Sequence, residues 1–128
     1  MQLSQFSNQD FNRGAPVLLE IIWLATQGFL FSTWLPGAKW RCWLLRIFGA
    51  NIGKGVNIKP RAHVKFPWRL SIGNYSWIGE GVWIDNLNEV KIGNNVCVSQ
   101  GSYICTGSHD YKNEHFRLIT KPIIVEDG

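Results

Sequence analysis

The sequence predicts a mainly β solenoid: a parallel β-helix of hexapeptide repeats preceded by N-terminal helices. Three observations carry that reading. Aliphatic residues recur six apart, as Ile52, Ile58 and Val64, then Ile72, Ile78 and Ile84, then Ile92, Val98 and Ile104. The three sets are offset so that the whole pattern returns every 20 residues, with none of the nine positions missing. Upstream, residues 15–49 carry Leu, Ile, Phe and Trp without that rhythm.

A period of six matches neither the 3.6 of a helix nor the 2 of an ordinary strand. It means a short strand, a turn and another short strand, with one aliphatic pointing inward each time. Three such units close a triangular coil. Stacked coils bury a continuous column of Ile and Val while each backbone pairs with the coils above and below. The residue four places after each aliphatic is small or Val at Val56, Ala62, Ser76, Val82, Val96, Ser102 and Ser108. Trp68 and Asn88 depart from this and mark two-residue insertions. Gly53, Gly73, Gly79 and Gly93 each follow an inward aliphatic and are expected to release the backbone at the corners. A flat antiparallel sheet would need longer alternating runs and hairpin signals.

Three segments follow from this: a polar N-terminal stretch over 1–14, an apolar and amphipathic helical segment over 15–49, and a β-helix domain over 50–128. Residues 1–13 are polar and lack the basic start, apolar run and small-residue site of a secretory signal. The stretch "APVLLEIIWLATQGFLFSTWLPG" is strongly apolar, but Glu20 and Gln27 interrupt it and Pro36 ends it. A membrane-spanning helix needs about 20 nearly uncharged residues. In "AKWRCWLLRIFGA", Trp40, Trp43, Leu44 and Ile47 fall at helical spacing with Lys39, Arg41 and Arg46 between them. Two compatible readings follow: these helices cap the core, or they make peripheral contact with a membrane interface.

The formal net charge is +4, and Arg41, Arg46, Lys54, Lys59, Arg61, Lys65 and Arg69 cluster among aromatics in the middle of the chain. That fits an anionic surface or a solvated outer face. No nucleic-acid motif accompanies it, so nucleic acid is not an expected partner. Cys42, Cys97 and Cys105 are odd in number and form no CxxC pair, which implies free thiols in a reducing, cytoplasmic compartment.

After Ile104 the rhythm breaks. The next coil is due near residue 112, but "SHDYKNEHFRLITKP" intervenes, and Val125 in "VEDG" is the restart. A loop over 109–124 is expected, with His109 at its start, and long loops on rigid scaffolds are where sites concentrate. Histidine has the side chain whose pKa suits a general base near neutral pH. Asp110 is placed to orient it or to meet a substrate. In "WIDN", Asp85 and Asn86 stand at an insertion corner, where they would hold substrate hydroxyls or simply form the turn. His115 reads as a loop residue and His63 as an outer-face residue. Cys105, His109 and His115 match no zinc spacing, so no metal site is assigned. No phosphate loop or nucleophile elbow occurs. The chain stops at Gly128 as a repeat resumes, without a visible solenoid cap, so a C-terminally shortened chain is expected.

"IGKGVNI", "IGEGVWI" and "IGNNVCV" resemble the hexapeptide-repeat acyltransferases, whose fold is a left-handed parallel β-helix, a hand opposite to the usual crossover preference. Together with "FGANIGKGVNIKPRAHVKFPW", "WIGEGVWIDN" and "SQGSYICTGSHDY", they resemble the colanic acid biosynthesis acetyltransferases over roughly residues 40–128. The resemblance implies an acetyl-CoA-dependent O-acetyltransferase acting on a sugar hydroxyl of an exopolysaccharide precursor. His109 would be the general base, with direct attack of the hydroxyl on the thioester. It further implies a homotrimer with each site between two subunits, a sugar or lipid-linked saccharide as acceptor, and a place at the inner face of the cell membrane. Trp68, Trp77, Trp83 and Phe66 would suit the subunit interface or pack on the N-terminal helices. An asparagine common in related sugar acetyltransferases is replaced here by Glu80, so that contact is not carried over. Two other classes remain: a non-catalytic β-helix scaffold, and a metalloenzyme like the γ-carbonic anhydrases, which would need three converging histidines.

Overall fold

In the computed structural model, which describes residues 1–128, each hexapeptide contributes one short strand, and strands 20 residues apart stack in parallel. The first coil comprises β1 (Asn51–Ile52), β2 (Asn57–Ile58) and β3 (His63–Val64). The second comprises β4 (Leu70–Ile72), β5 (Trp77–Ile78) and β6 (Trp83–Asp85), and the third β7 (Val90–Ile92), β8 (Cys97–Val98) and β9 (Tyr103–Cys105). They form three flat faces with strand orders β1-β4-β7-β12, β2-β5-β8 and β3-β6-β9. Register is in step with the repeat: Ile52 pairs Ile72, Ile72 pairs Ile92, and Val64 and Ile104 both flank Ile84. The inward column is a single core cluster, with Ile58, Val64, Ile72, Ile78, Ile84 and Ile92 each no more than 3% exposed. Val98 and Ile104, on the outermost strands of their faces, pack on that cluster only in part. The chain returns to the first face at β12 (Ile123–Val125), where Val125 pairs Ile92.

Two of the three corners are tight turns that need a left-handed residue. One stack of these is Gly55, Tyr75 and Asn95, and the other is Arg61, Gly81 and Gly101. The glycines expected at the corners for conformational freedom serve another purpose. A Cβ on Gly79 would lie 2.5 Å from the backbone nitrogen of Gln100, one coil above. That position is glycine because stacked backbones approach too closely for a side chain. An amide ladder runs up the first corner: Asn74 Oδ1 accepts from Lys54 N–H, Asn94 Oδ1 from Asn74 N–H, and Asp127 Oδ1 from Asn94 N–H.

The third corner carries every insertion. A short 3-10 turn (Pro67–Arg69) leaves it in the first coil, residues 86–89 in the second, and a long arm over 106–122 in the third. The arm is not the irregular loop expected. β10 (Gly107–His109) pairs antiparallel with β11 (Leu118–Thr120), so most of it is a β-hairpin.

The helices cap the open edge of the first coil. They are α1 (Val17–Thr26), a π-helical turn (Gln27–Phe31) and α2 (Ala38–Ile47). An uncovered sheet edge leaves backbone groups unpaired, and the cap supplies partners to many of them. Trp23 Nε1 donates to Val64 O at 2.8 Å, Ser32 Oγ to Ala62 O at 2.6 Å, and Cys42 Sγ to Val56 O at 3.5 Å. Arg46 donates to the carbonyls of Ile52 and Gly53, and Gln27 Oε1 accepts from Val64 N–H.

The apolar stripe of α2 is split between core and solvent: Leu44 packs against the core and Trp40 is half-buried. Arg41, Cys42 and Leu45 are buried, while Trp43 and Ile47 point outward. Arg41 is fully buried and clamps the connection before α2: Nε donates to Phe31 O at 2.9 Å, Nη1 to Gly37 O at 2.9 Å and Nη2 to Thr33 O at 2.8 Å. Among the aromatics expected outside, Phe66 is fully buried, Trp68 is half-buried against it at 5.0 Å, and only Trp77 and Trp83 are exposed.

Candidate active site

The site grows from the third corner. The polar N-terminal stretch climbs beside it, from the cap toward the hairpin tip. Trp68 Nε1 donates to Arg13 O at 2.7 Å, the Phe11 ring stacks on Phe66 at 6.3 Å, and Arg69 bonds the carbonyls of Asn12 and Leu87. At the far end, Gln2 N–H donates to Glu114 O at 2.9 Å. Burial lowers the Arg69 pKa, while the nearby Glu89 pushes the other way. The guanidinium stays charged in either case.

His109 closes β10 directly across from Leu118. Its ring is held on three sides. Nδ1 lies 3.0 Å from Phe116 O. A carbonyl only accepts, so Nδ1 carries the proton and the neutral ring presents its lone pair at Nε2. Nε2 makes no hydrogen bond within the chain. The Phe116 ring stacks on the imidazole at 4.4 Å with planes 5° apart, and Phe6 meets it edge-on at 5.4 Å. Phe116 adopts φ 50°, a left-handed conformation uncommon for an aromatic residue. The turn before β11 thus delivers both its carbonyl and its ring to one histidine.

Residues opposite each other in an antiparallel pair share a face. Leu118 and Thr120 lie across from His109 and Gly107, and both line a cleft of about 510 Å³. That cleft therefore opens on the face of the hairpin that carries the imidazole. Its other walls are the N-terminal stretch and the 87–89 insertion. Its lining is mostly polar and includes Asp10, Arg69, Asn88, Glu89 and Arg117. None of these five was singled out from sequence as a site residue; they come from the N-terminal stretch, the two short insertions and the hairpin, and only the fold gathers them.

The other expected site residues do not converge on His109. Asp110 turns away: its Oδ1 accepts from Lys112 N–H at 3.0 Å, a local turn contact. Phe116 takes the orienting role considered for it. Asp85 lies on the outer face of β6, where Oδ2 accepts from Tyr103 O–H at 2.6 Å, with Cys105 Sγ at 3.9 Å. That hydrogen bond raises the Tyr103 pKa well above the usual phenol range. Asn86 is fully buried. Its Oδ1 accepts from Phe66 N–H, and its Nδ2 donates to the carbonyls of Phe66 and Arg69. A substrate role does not fit that place, because every polar atom of the amide already braces the insertion below. His63 and His115 are exposed, on a coil face and in the hairpin turn respectively. Cys105 donates to Gly107 O, and no three His, Cys, Asp or Glu side chains are placed to share a metal ion.

No family model matches the chain. Over 125 residues, 96% of this chain and 68% of the relative, it is 42% identical to "Putative colanic acid biosynthesis acetyltransferase WcaF" of Escherichia coli (strain K12). The same figures hold for the protein of that name from Shigella flexneri. Among solved structures it is similar to the hexapeptide-repeat containing acetyltransferase VCA0836 from Vibrio cholerae, with a TM-score of 0.68 and 20% identity over 87% of this chain and 64% of that one. The structural likeness establishes the fold, a left-handed parallel β-helix. The sequence identity, extending over nearly the whole of it, shows that the chain belongs to the family of colanic acid biosynthesis acetyltransferases.

Proposed function

We propose that the protein transfers an acetyl group from acetyl-CoA to a sugar hydroxyl, with His109 as the general base. One observation carries this reading: a sterically fixed imidazole, protonated at Nδ1 and unbonded at Nε2, on the same hairpin face as a polar cleft. The acceptor hydroxyl gives its proton to Nε2 as its oxygen attacks the thioester carbonyl. The tetrahedral intermediate collapses, the C–S bond breaks, and the imidazolium returns the proton to the departing thiolate. The Phe116 carbonyl stabilises the imidazolium through Nδ1–H, the role a third group plays in orienting a catalytic base. No covalent acyl-enzyme is needed.

A cleft lined by carboxylates, amides, two hydroxyls and two guanidinium groups suits a saccharide better than an apolar acceptor. We assign the acceptor to the class of exopolysaccharide precursors, free or lipid-linked. A homotrimer, with neighbouring copies contributing to each site, is part of the same reading. The exposed Trp77 and the tilted ring pair Trp83 and Tyr103, 5.0 Å apart on the next face, offer apolar area for it. A lipid-linked acceptor places the protein peripherally at the inner face of the cell membrane. No helix is long and apolar enough to cross it.

The test is acetyl transfer from labelled acetyl-CoA to a panel of saccharide acceptors. His109→Ala is expected to lower kcat by about 10²- to 10⁴-fold, the usual contribution of a positioned base, with an unchanged circular dichroism spectrum. Undiminished transfer by that variant would show that His109 is not the base, and no transfer by the parent to any acceptor would favour the non-catalytic scaffold.

A further inference from the structure

We propose that the helical cap docks on an anionic lipid surface. This gives the membrane-side reading above a specific face, and it does not depend on His109 acting as a base. The first observation is an apolar surface with no partner. α1 reaches the core through Trp23, with Leu19 partly packed against it, and its one charge, Glu20, turns inward to Arg13 at 2.7 Å. The rest of the segment points away from the solenoid: Phe29 is 83% exposed, Trp34 70% and Leu18 68%, with Val17, Ile21 and Leu30 beside them. A continuous patch of this kind on a soluble domain marks an interaction surface.

The second observation is charge. Between residues 11 and 79 the only acid is Glu20. The cations there include Lys39 and Arg46 on the cap, and Lys54 and Lys59 on the first coil, all exposed. The remaining acids, apart from Asp10, lie from Glu80 onward in the higher coils and the hairpin. The capped end is therefore apolar with Lys39 and Arg46 on it, and its nearest coil adds Lys54 and Lys59, which lie over the rings of Tyr75 and Trp77. Burial of Arg41 leaves Trp43 and Ile47 beside Lys39 and Arg46 on the outward side of α2. Apolar and Trp side chains with flanking Lys and Arg match a bilayer interface bearing anionic headgroups. A second copy meeting the same face symmetrically would oppose like charges.

The experiment is flotation of the full chain with vesicles of phosphatidylcholine alone and of phosphatidylcholine mixed equally with phosphatidylglycerol. Binding is expected to the mixed vesicles, to weaken with added salt, and to be slight on phosphatidylcholine. Phe29→Ser with Trp34→Ser should weaken binding by about tenfold or more. Lys54→Gln with Lys59→Gln should weaken it by roughly tenfold on mixed vesicles only. Thermal melts verify that both variants fold. His109→Ala should float like the parent, so this outcome is read separately from acetyl transfer. Three results would overturn the proposal: no flotation, equal flotation on both vesicle types, or a Phe29/Trp34 variant that floats normally. A drop in light-scattering mass for that variant, without lipid binding by the parent, would instead assign the face to contact between copies.

Discussion

At the residue scale, two glycines show how neighbouring positions acquire the same residue for different reasons. Gly79 has no room for a Cβ beneath the Gln100 backbone, whereas Gly81 has open space but φ +69°. Gly79→Ala should cost about 1–3 kcal/mol, because coil stacking must shift. Gly81→Ala should cost about 1 kcal/mol from backbone conformation alone. Thermal or urea unfolding of the two variants distinguishes them, and equal costs would mean that the coils give way at Gly79. The position of His109, where the repeat breaks, was legible in the sequence. Its orienting partner was not, because the group that holds it is a backbone carbonyl, which any residue could supply. Asp110, the adjacent carboxylate, looked chemically better suited and is turned elsewhere by Lys112 N–H. Asn86 shows the reverse error: a polar residue at a corner suggests substrate, yet its amide is enclosed within the insertion stack.

At the element scale, the coils were legible and the cap was legible only in outline. Strand register follows from the six-residue spacing because each inward aliphatic can stack only on the one 20 residues away. For α2 the spacing of Trp40, Trp43, Leu44 and Ile47 suggested one apolar face, turned to the core or to a membrane, but spacing says nothing about what lies beneath. The edge of the first coil and the 31–37 connection present carbonyls, and a guanidinium satisfies several at once. Arg41→Ala should therefore destabilise the protein by about 2 kcal/mol or more, since the buried Phe31 carbonyl loses its side-chain donor, the part-buried Thr33 and Gly37 carbonyls lose one each, and a fully buried side chain is removed. Chemical denaturation measures this, and a change below about 1 kcal/mol would show that the clamp is dispensable. The hairpin over 107–120 escaped notice because its turn spans eight residues, from Asp110 to Arg117, with no Asn-Gly or Asp-Gly signal at its centre.

At the scale of the whole molecule, the charge map and the solenoid axis coincide. Nine of the 13 Lys and Arg lie before residue 80 and seven of the nine Asp and Glu lie from Glu80 onward, so the capped end is the more cationic, although the hairpin itself mixes both signs. Coils rise about 4.8 Å each and a helix is about 10 Å thick, so His109 stands on the order of 20 Å above the outer face of the cap. If the cap docks on a membrane as proposed, an acceptor held there would present its hydroxyl at that height, which favours an extended saccharide over a sugar lying at the bilayer surface. Reach, cleft and base then lie along one edge, with the N-terminal stretch as its outer wall.

The claim on which the chemistry depends is that His109 offers a free, basic Nε2. Long-range ¹H–¹⁵N correlation of the imidazole nitrogens, on the full chain with the ring neutral, measures it directly. The account predicts that His109 is the Nδ1–H tautomer, with an acceptor-type nitrogen at Nε2, and that His109→Asn removes that signal and acetyl transfer together. A proton resident on Nε2, or a rapidly averaged pair of tautomers like that of a solvent-exposed ring, would contradict it.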